Sequence, residues 1–279
     1  MPNIVTRFAP SPTGYLHLGH IYSALTAFSK AKEEGGRFIL RIEDIDSTRC
    51  RKEFVEAIYE DLAWLGISWE EPVRIQSEHL DDYQKAIDVL EAKKLLYPCF
   101  CTRKDIALWD SGIGNNDDAV YPQICKNLSL DEIEDKKRRN IPYCLRFDTD
   151  RALDMISKQS KELYWFDLEK GKIAAKPENL GDVVLVRKDI AASYHLAVTI
   201  DDYLQGVNLV IRGDDLFQAT HIHRLLQAVL ELPTPNYWHH KLIVNQDGSK
   251  LSKSKHSLPI RELRSQGYSA SEVISMAYK

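Results

Sequence analysis

Residues 7–20 read RFAPSPTGYLHLGH, with His17 and His20 flanking Gly19 where a turn broken by proline and glycine gives way to a helical pattern. A helix N-terminus after a tight turn offers free N–H groups and the positive end of the helix dipole to an anion. Gly19 would let a flat base or a phosphate approach the backbone. Two histidines three residues apart fall on the same side of the first turn and can both donate to phosphate oxygens. Such a site suits negative charge on a phosphorus under attack. H-x-G-H alone is equally compatible with a capped helix carrying two surface histidines. A zinc pair is disfavoured, because no third ligand lies nearby in sequence.

A second cluster lies near the other end. DGSKLSKSK at 247–255 interleaves Lys250, Lys253 and Lys255 with Ser249, Ser252 and Ser254. Cations on a loop that closes over a triphosphate neutralise it in the transition state; taken alone, the same run is a basic surface loop. The two common Gly-rich phosphate motifs are absent. A third cluster is Cys99, Cys101 and Cys125. Three thiols leave a tetrahedral zinc site one ligand short. No histidine occurs between 80 and 194, so Cys144 and Tyr121 are the candidates for the fourth place. Unliganded thiols are the alternative.

The elements that must position these groups follow from periodicity. NIVTRFAP reads as a strand ended by Pro10 and Pro12, and residues 17–35 as a helix with Ile21, Leu25 and Phe28 on one face. RFILRIED is a second strand, 49–65 a second helix, VRIQSEH a third strand and 80–96 a third helix. Strand and helix alternating at this spacing predict an α/β fold, a doubly wound, Rossmann-like parallel sheet. From about 97 the chain turns polar and irregular, with Ser129 and Glu132 forming a capping box before a short helix. Alternation resumes with strands expected at GDVVLVRKD, NLVIRGDD and HKLIVNQ. The expected organisation is a catalytic domain in two halves, 1–96 and 181–240. An insertion at 97–180 bears the zinc candidates, and 241–279 carries the lysine loop and a short helical C-terminal subdomain.

The totals add limits. A 279-residue chain with 44% hydrophobic and 28% charged residues is an ordinary globular composition. A net charge of −4 argues against a protein that coats nucleic acid, although residues 240–264 hold six Lys/Arg against two acids. Five cysteines, an odd number, without a leader or a long apolar run, point to a cytoplasmic chain that neither crosses a membrane nor depends on disulfides.

H-L-G-H at 17–20 and K-L-S-K-S at 250–254 resemble the two signature motifs of class I aminoacyl-tRNA synthetases. Together with RIEDID and YHLAVTIDDYLQGVNLVIRGDDL, they resemble the glutamyl branch of that class over nearly the whole chain. The resemblance implies an ATP site on Pro10, His17, Gly19, His20 and Lys253, with Lys250 and Mg²⁺ helping to stabilise the phosphates. It also implies an L-glutamate site. A substrate with two carboxylates and one ammonium needs two cations and an anion; Arg7 and Arg212 are the cations, Glu43 with Ser11 meets the ammonium, and Tyr194 donates a hydrogen bond. Arg7 is expected on the side-chain carboxylate and Arg212 on the α-carboxylate. On residue type alone these arginines could equally make surface ion pairs, and Glu43 could partner Arg41. The resemblance favours Tyr121 as the fourth ligand of a structural Zn²⁺ with Cys99, Cys101 and Cys125. The chain ends about 25 residues after its second motif, with no room there for an anticodon-reading helical domain. It therefore resembles the subgroup that glutamylates the queuosine base of tRNA(Asp), and a monomer is expected.

Overall fold

Four consecutive buried residues make the first strand, β1 (Val5–Phe8), and the prolines at 10 and 12 stop it. Helix α1 (Leu18–Glu33) follows and buries Ile21, Ala24, Leu25 and Ala31 against the sheet. Its reversal needs two glycines. Gly35 has φ +62°, and a Cβ on Gly36 would overlap the Ile4 carbonyl oxygen. β2 (Arg37–Ile42), α2 (Lys52–Trp64), β3 (Glu70–Ile75) and α3 (Leu80–Ala92) complete the first half in the predicted order. The computed structural model describes residues 3–102, 104–106, 120–160, 162–243 and 258–278.

Beyond α3 come β4 (Leu96–Cys99), α4 (Leu130–Arg138), β5 (Cys144–Phe147), α5 (Thr149–Lys158), β6 (Tyr164–Asp167), β7 (Gly171–Ala174) and β8 (Val184–Val186). The second half holds α6 (Tyr194–Leu204), β9 (Leu209–Gly213), α7 (Ala219–Val229) and β10 (Asn236–His240), and α8 (Ile260–Ser265) and α9 (Ala270–Ala277) close the described chain. The strands β1, β2 and β3 pair in parallel. A second sheet runs β7-β6-β10-β9, with β10 parallel to both β6 and β9. Asn208 joins the two: its N–H donates to the Val5 carbonyl at 3.2 Å, and its Oδ1 accepts from the Val5 N–H at 2.8 Å. Helices packed on parallel strands give the expected α/β, Rossmann-like architecture.

Four expectations are corrected. The strand expected at GDVVLVRKD is β8, which pairs antiparallel with β5 in a separate β4-β5-β8 sheet. Conversely, β6 and β7 fall inside the stretch read as an insertion yet join the parallel sheet beside β10. The boundaries 97–180 and 181–240 therefore cut across sheets, because three- and four-residue strands carry too little pattern to reveal their partners. Among the described residues the last strand lies at 236–240 and shares only His240 with HKLIVNQ, of which residues 244–246 lie outside the described residues. Nor do the C-terminal helices form a core of their own. Ile260, Leu263, Val273 and Ala277 pack into the same cluster as Ile21 and Leu25 of α1, and the Ile260 N–H donates to the Leu16 carbonyl at 2.8 Å.

Charge is buried beneath the sheet as well. Arg7 on β1 and Arg41 on β2 both hold Asp202 of α6, at 3.0 and 2.8 Å. The neighbouring Asp201 takes Arg74 of β3 at 2.7 Å and the Tyr83 hydroxyl of α3 at 3.0 Å. Removing one partner from such a group strands a buried charge. Asp202→Ala is expected to cost about 3–5 kcal/mol, read as a lowered midpoint in urea unfolding; a loss below about 1 kcal/mol would mean that the arginines find other partners.

Candidate active site

β1, the turn after it, the start of α1 and the ends of β9 and β10 enclose a cleft of about 550 Å³. Arg7, Pro10, Ser11, His17, Gly19, His20, Glu43, Tyr194 and Arg212, all singled out from sequence, line it together. Lys250 and Lys253 lie outside the described residues.

The two histidines cap their own helix. The His17 Nδ1 accepts from the Gly19 N–H at 3.2 Å, and the His20 Nδ1 accepts from the His17 N–H at 3.2 Å. The ring centroids lie 3.7 Å apart, with the planes tilted by 31°. These bonds reverse part of the expectation, since the His17 and Gly19 N–H groups are taken by the rings and not free for an anion. They also fix the tautomers: with both Nδ1 atoms accepting, each ring carries its proton on Nε2 and offers it as a donor. Gly19 matters here, because a Cβ would come within 3.1 Å of the His17 ring. Burial lowers the His17 pKa, and burial with the His17 charge takes His20 down to about 3. Both rings are therefore neutral donors at pH 7.

The arginines differ in what holds them. Arg7 donates to Asp202 at 3.0 Å and to the Ile211 carbonyl at 3.2 Å. Burial opposes ionisation of Asp202, but Arg7 and Arg41 outweigh it and keep its carboxyl below the usual range. Glu43 accepts from Arg41 at 3.2 Å, so the partnership open from sequence is made. Burial still pushes the Glu43 carboxyl up, against the pull of Arg41 and Arg7. Arg212 of β9 donates instead to the Tyr194 hydroxyl at 3.1 Å, to Thr220 at 2.7 Å and to the His239 Nε2 at 3.3 Å. Tyr194 thus accepts from Arg212 through its oxygen while its own proton remains available. Sequence reading missed Asp202, Asp201, Asp167, Thr220, His223 and His239. The available signals were an Asp pair inside an otherwise apolar helix and the histidine-dense THIH and HH runs.

At the other sheet, Cys99, Cys101 and Cys125 bring their sulfurs within 4.8 Å of one another, with Cys101 and Cys125 at 3.5 Å. The Tyr121 hydroxyl lies 3.2 Å from the Cys99 sulfur and 3.5 Å from that of Cys101. Sulfurs about 2.3 Å from a tetrahedral zinc stand about 3.8 Å apart, so this donor set is of the right size. The Cys144 thiol is directed at the Cys99 carbonyl, at 3.5 Å. The Cys144 side chain beside it also holds the Cys99 thiol well below the ordinary range.

Because the folded pKa of His20 lies below its unfolded value of 6.5, its contribution to stability is intact above that pH and is lost as pH falls toward 3. An NMR titration is expected to show the His20 ring unprotonated down to pH 5. A midpoint near 6.5 would refute the burial and pairing that make it a neutral donor.

Residues 3–278 match the family described as tRNA synthetases class I (E and Q), catalytic domain. The chain is 39% identical to the glutamyl-Q tRNA(Asp) synthetase of Rhodobacter capsulatus, over 97% of this chain and 98% of that protein. It is 37% identical to the glutamate–tRNA ligase of Aquifex aeolicus over 96% of its length, but spans only 55% of that ligase. Its structure is similar to that of a glutamate tRNA ligase from Elizabethkingia meningosepticum, solved in complex with its amino acid. That likeness has a TM-score of 0.74 at 29% identity and covers 95% of this chain and 53% of the ligase. The cleft between β1, α1 and β9 is thus carried by a chain that belongs to the class I tRNA synthetase (E and Q) catalytic-domain family.

Proposed function

We propose that this chain activates L-glutamate with ATP and transfers the glutamyl group to the queuosine base of tRNA(Asp). The observation that carries the glutamate reading is the cleft itself, which a neutral histidine pair and two buried arginines line together with Glu43. The match over 98% of the glutamyl-Q tRNA(Asp) synthetase supports the acceptor.

In this reading the adenine and phosphates of ATP lie along Pro10, Gly19 and the two histidines. The glutamate α-carboxylate attacks the α-phosphorus, and the bond to the bridging oxygen breaks to release pyrophosphate and leave glutamyl-adenylate. The Nε2 protons of His17 and His20, with Lys250 and Lys253, stabilise the charge on the phosphoryl oxygens; Mg²⁺ enters with the nucleotide. Arg7 and Arg212 hold the substrate carboxylates, Ser11 and Glu43 the ammonium, and Tyr194 adds a hydrogen bond. A hydroxyl of the modified base then attacks the acyl carbon and releases AMP. No covalent enzyme intermediate is needed, so positioning and preorganised charge supply the rate.

Cys99, Cys101, Cys125 and Tyr121 would hold a structural Zn²⁺ that fastens the β4-β5-β8 sheet. Cys125→Ser is expected to reduce the zinc content, measured by plasma emission spectroscopy, from about one per chain toward zero and to lower the melting temperature with it. Wild-type protein free of zinc after purification in zinc-containing medium would refute the site.

A second acceptor is favoured by the 37% identity to the Aquifex ligase: the 3′ end of tRNA(Glu). Labelled glutamate, ATP and tRNA from cells with and without queuosine separate the two. Label confined to queuosine-containing tRNA(Asp) is the expected result. Label on tRNA(Glu) from both sources would replace the proposed acceptor, and no transfer to either would overturn the synthetase reading.

A further inference from the structure

Arg212 is buried, and its N–H groups go to neutral acceptors: the His239 Nε2, Thr220 Oγ1 and Tyr194 hydroxyl, with the His223 Nδ1 at 3.3 Å. Among the described residues no Asp or Glu oxygen comes within 4.0 Å of it. A guanidinium presents five N–H donors and no acceptor, so every neighbour that holds it must face it with a lone pair. For a hydroxyl that is a matter of rotation. For an imidazole it is a matter of which nitrogen carries the proton.

Asp167 of β6 decides that for His239. Its Oδ2 lies 2.7 Å from the His239 Nδ1 and accepts the His239 backbone N–H at 3.1 Å. Its Oδ1 accepts the backbone N–H groups of Glu169 and Lys170 at 3.0 and 3.1 Å. A carboxylate only accepts, so the Nδ1 must carry the proton and the Nε2 must carry the lone pair. The ring plane is fixed too: it stacks on Tyr237 at 7° and meets Phe217 edge-on. Both side chains of the pair are fully buried. Burial and the Arg212 charge push His239 down to about 4 against the pull of Asp167, so the ring stays neutral at pH 7.

We infer that Asp167 and His239 are positioning residues for Arg212: Asp167 fixes the Nδ1–H tautomer of His239, whose Nε2 lone pair then holds the guanidinium as an uncompensated cation facing the cleft. This rests on the proposed glutamate site, where Arg212 meets a substrate carboxylate. A carboxylate placed directly on Arg212, as Asp202 is on Arg7, would offset the charge it turns to the cleft. Acting through a neutral ring, Asp167 orients the arginine and leaves its charge in place.

Asp167→Asn tests the relay. Each oxygen of Asp167 already accepts a backbone N–H, so an amide must turn its NH₂ toward one of those donors or toward the His239 ring. The expected outcome is transfer of the His239 proton to Nε2, where it meets the Thr220 Oγ1 at 3.0 Å and withdraws the lone pair from the Arg212 N–H at 3.3 Å. Two measurements read it: the ¹⁵N shifts of the His239 ring by NMR, and the dissociation constant for L-glutamate by calorimetry. A swapped tautomer with affinity weakened at least about tenfold, while the KM for ATP stays within about threefold, supports the relay. His239→Gln, whose Oε1 can reach the Nε2 position but has no tautomer to set, should bind glutamate within about threefold of wild type. Adding Asp167→Asn to His239→Gln should then cost little more. An unchanged tautomer, or unchanged glutamate affinity in a folded Asp167→Asn protein, overturns the inference. Should Asp167→Asn not fold, His239→Gln decides: a loss as large as that of His239→Leu overturns it. Wild-type protein that binds no glutamate would remove the functional reading instead, and the tautomer measurement would still decide the relay.

Discussion

Two guanidiniums sharing one buried carboxylate hold this structure in register. Arg7 and Arg41 stand on adjacent parallel strands and both reach Asp202, while Arg41 also takes Glu43 and lies 3.7 Å from Asp201. Like charges on neighbouring strands would force β1 and β2 apart without that carboxylate, and Asp202 without them would be a buried anion. Since Asp201 and Asp202 are consecutive on α6, the helix is pinned from two sides, by β1 and β2 through one acid and by β3 and α3 through the other. The packing of α6 on the sheet, and hence the place of Tyr194 at its first turn, follows from this electrostatic constraint as much as from the buried Leu196, Ala197 and Ile200.

The same constraint decides what the cleft can offer. Arg7 and Glu43 reach it already engaged with protein partners, so they act as fixed dipolar groups whose orientation is set before any ligand arrives. The histidine pair is preorganised in another way. Its Nδ1 atoms are spent on the first backbone N–H groups of α1, which removes rotational freedom from both rings and directs their Nε2 protons outward. Ser23, one turn further along α1, lies 2.8 Å from the His240 Nε2, and the other ring nitrogen of His240 meets the Lys241 carbonyl. The start of α1 is thereby tied to the end of β10, the strand from which the chain continues toward the lysine-rich segment.

Much of this was legible in the sequence wherever the signal was local. The capping box at Ser129 and Glu132, the strand–helix alternation up to residue 92 and the end of α1 at the Gly35–Gly36 pair are short-range features, and each is present. Strand β8 is read into the wrong sheet and β6 and β7 escape notice, because a four-residue strand such as YWFD carries little pattern of its own and its partner is chosen by tertiary packing. Helices α8 and α9 were read as a subdomain for a related reason. Their apolar faces are visible in sequence, but the fact that α1 covers them is not. At the site, the side chains that line the cleft were readable from the two-histidine motif and the family resemblance, whereas the residues that hold those side chains were not. Asp167 and His239 lie 72 positions apart and meet only because β6 and β10 pair in parallel.

Arginine is buried here in two ways, and the contrast bears on which ligand the cleft suits. Arg7 and Arg41 are neutralised by carboxylates of the fold, so their burial is a matter of architecture. Arg212 is surrounded by two imidazoles and two hydroxyls that satisfy its hydrogen bonds but not its charge, an arrangement that costs several kcal/mol in the empty protein. An anion reaching Arg212 would recover that cost, which makes the cleft electrostatically poised for one. The uncompensated charge suits an anionic group, and its neutral histidine surroundings are what keep that charge available.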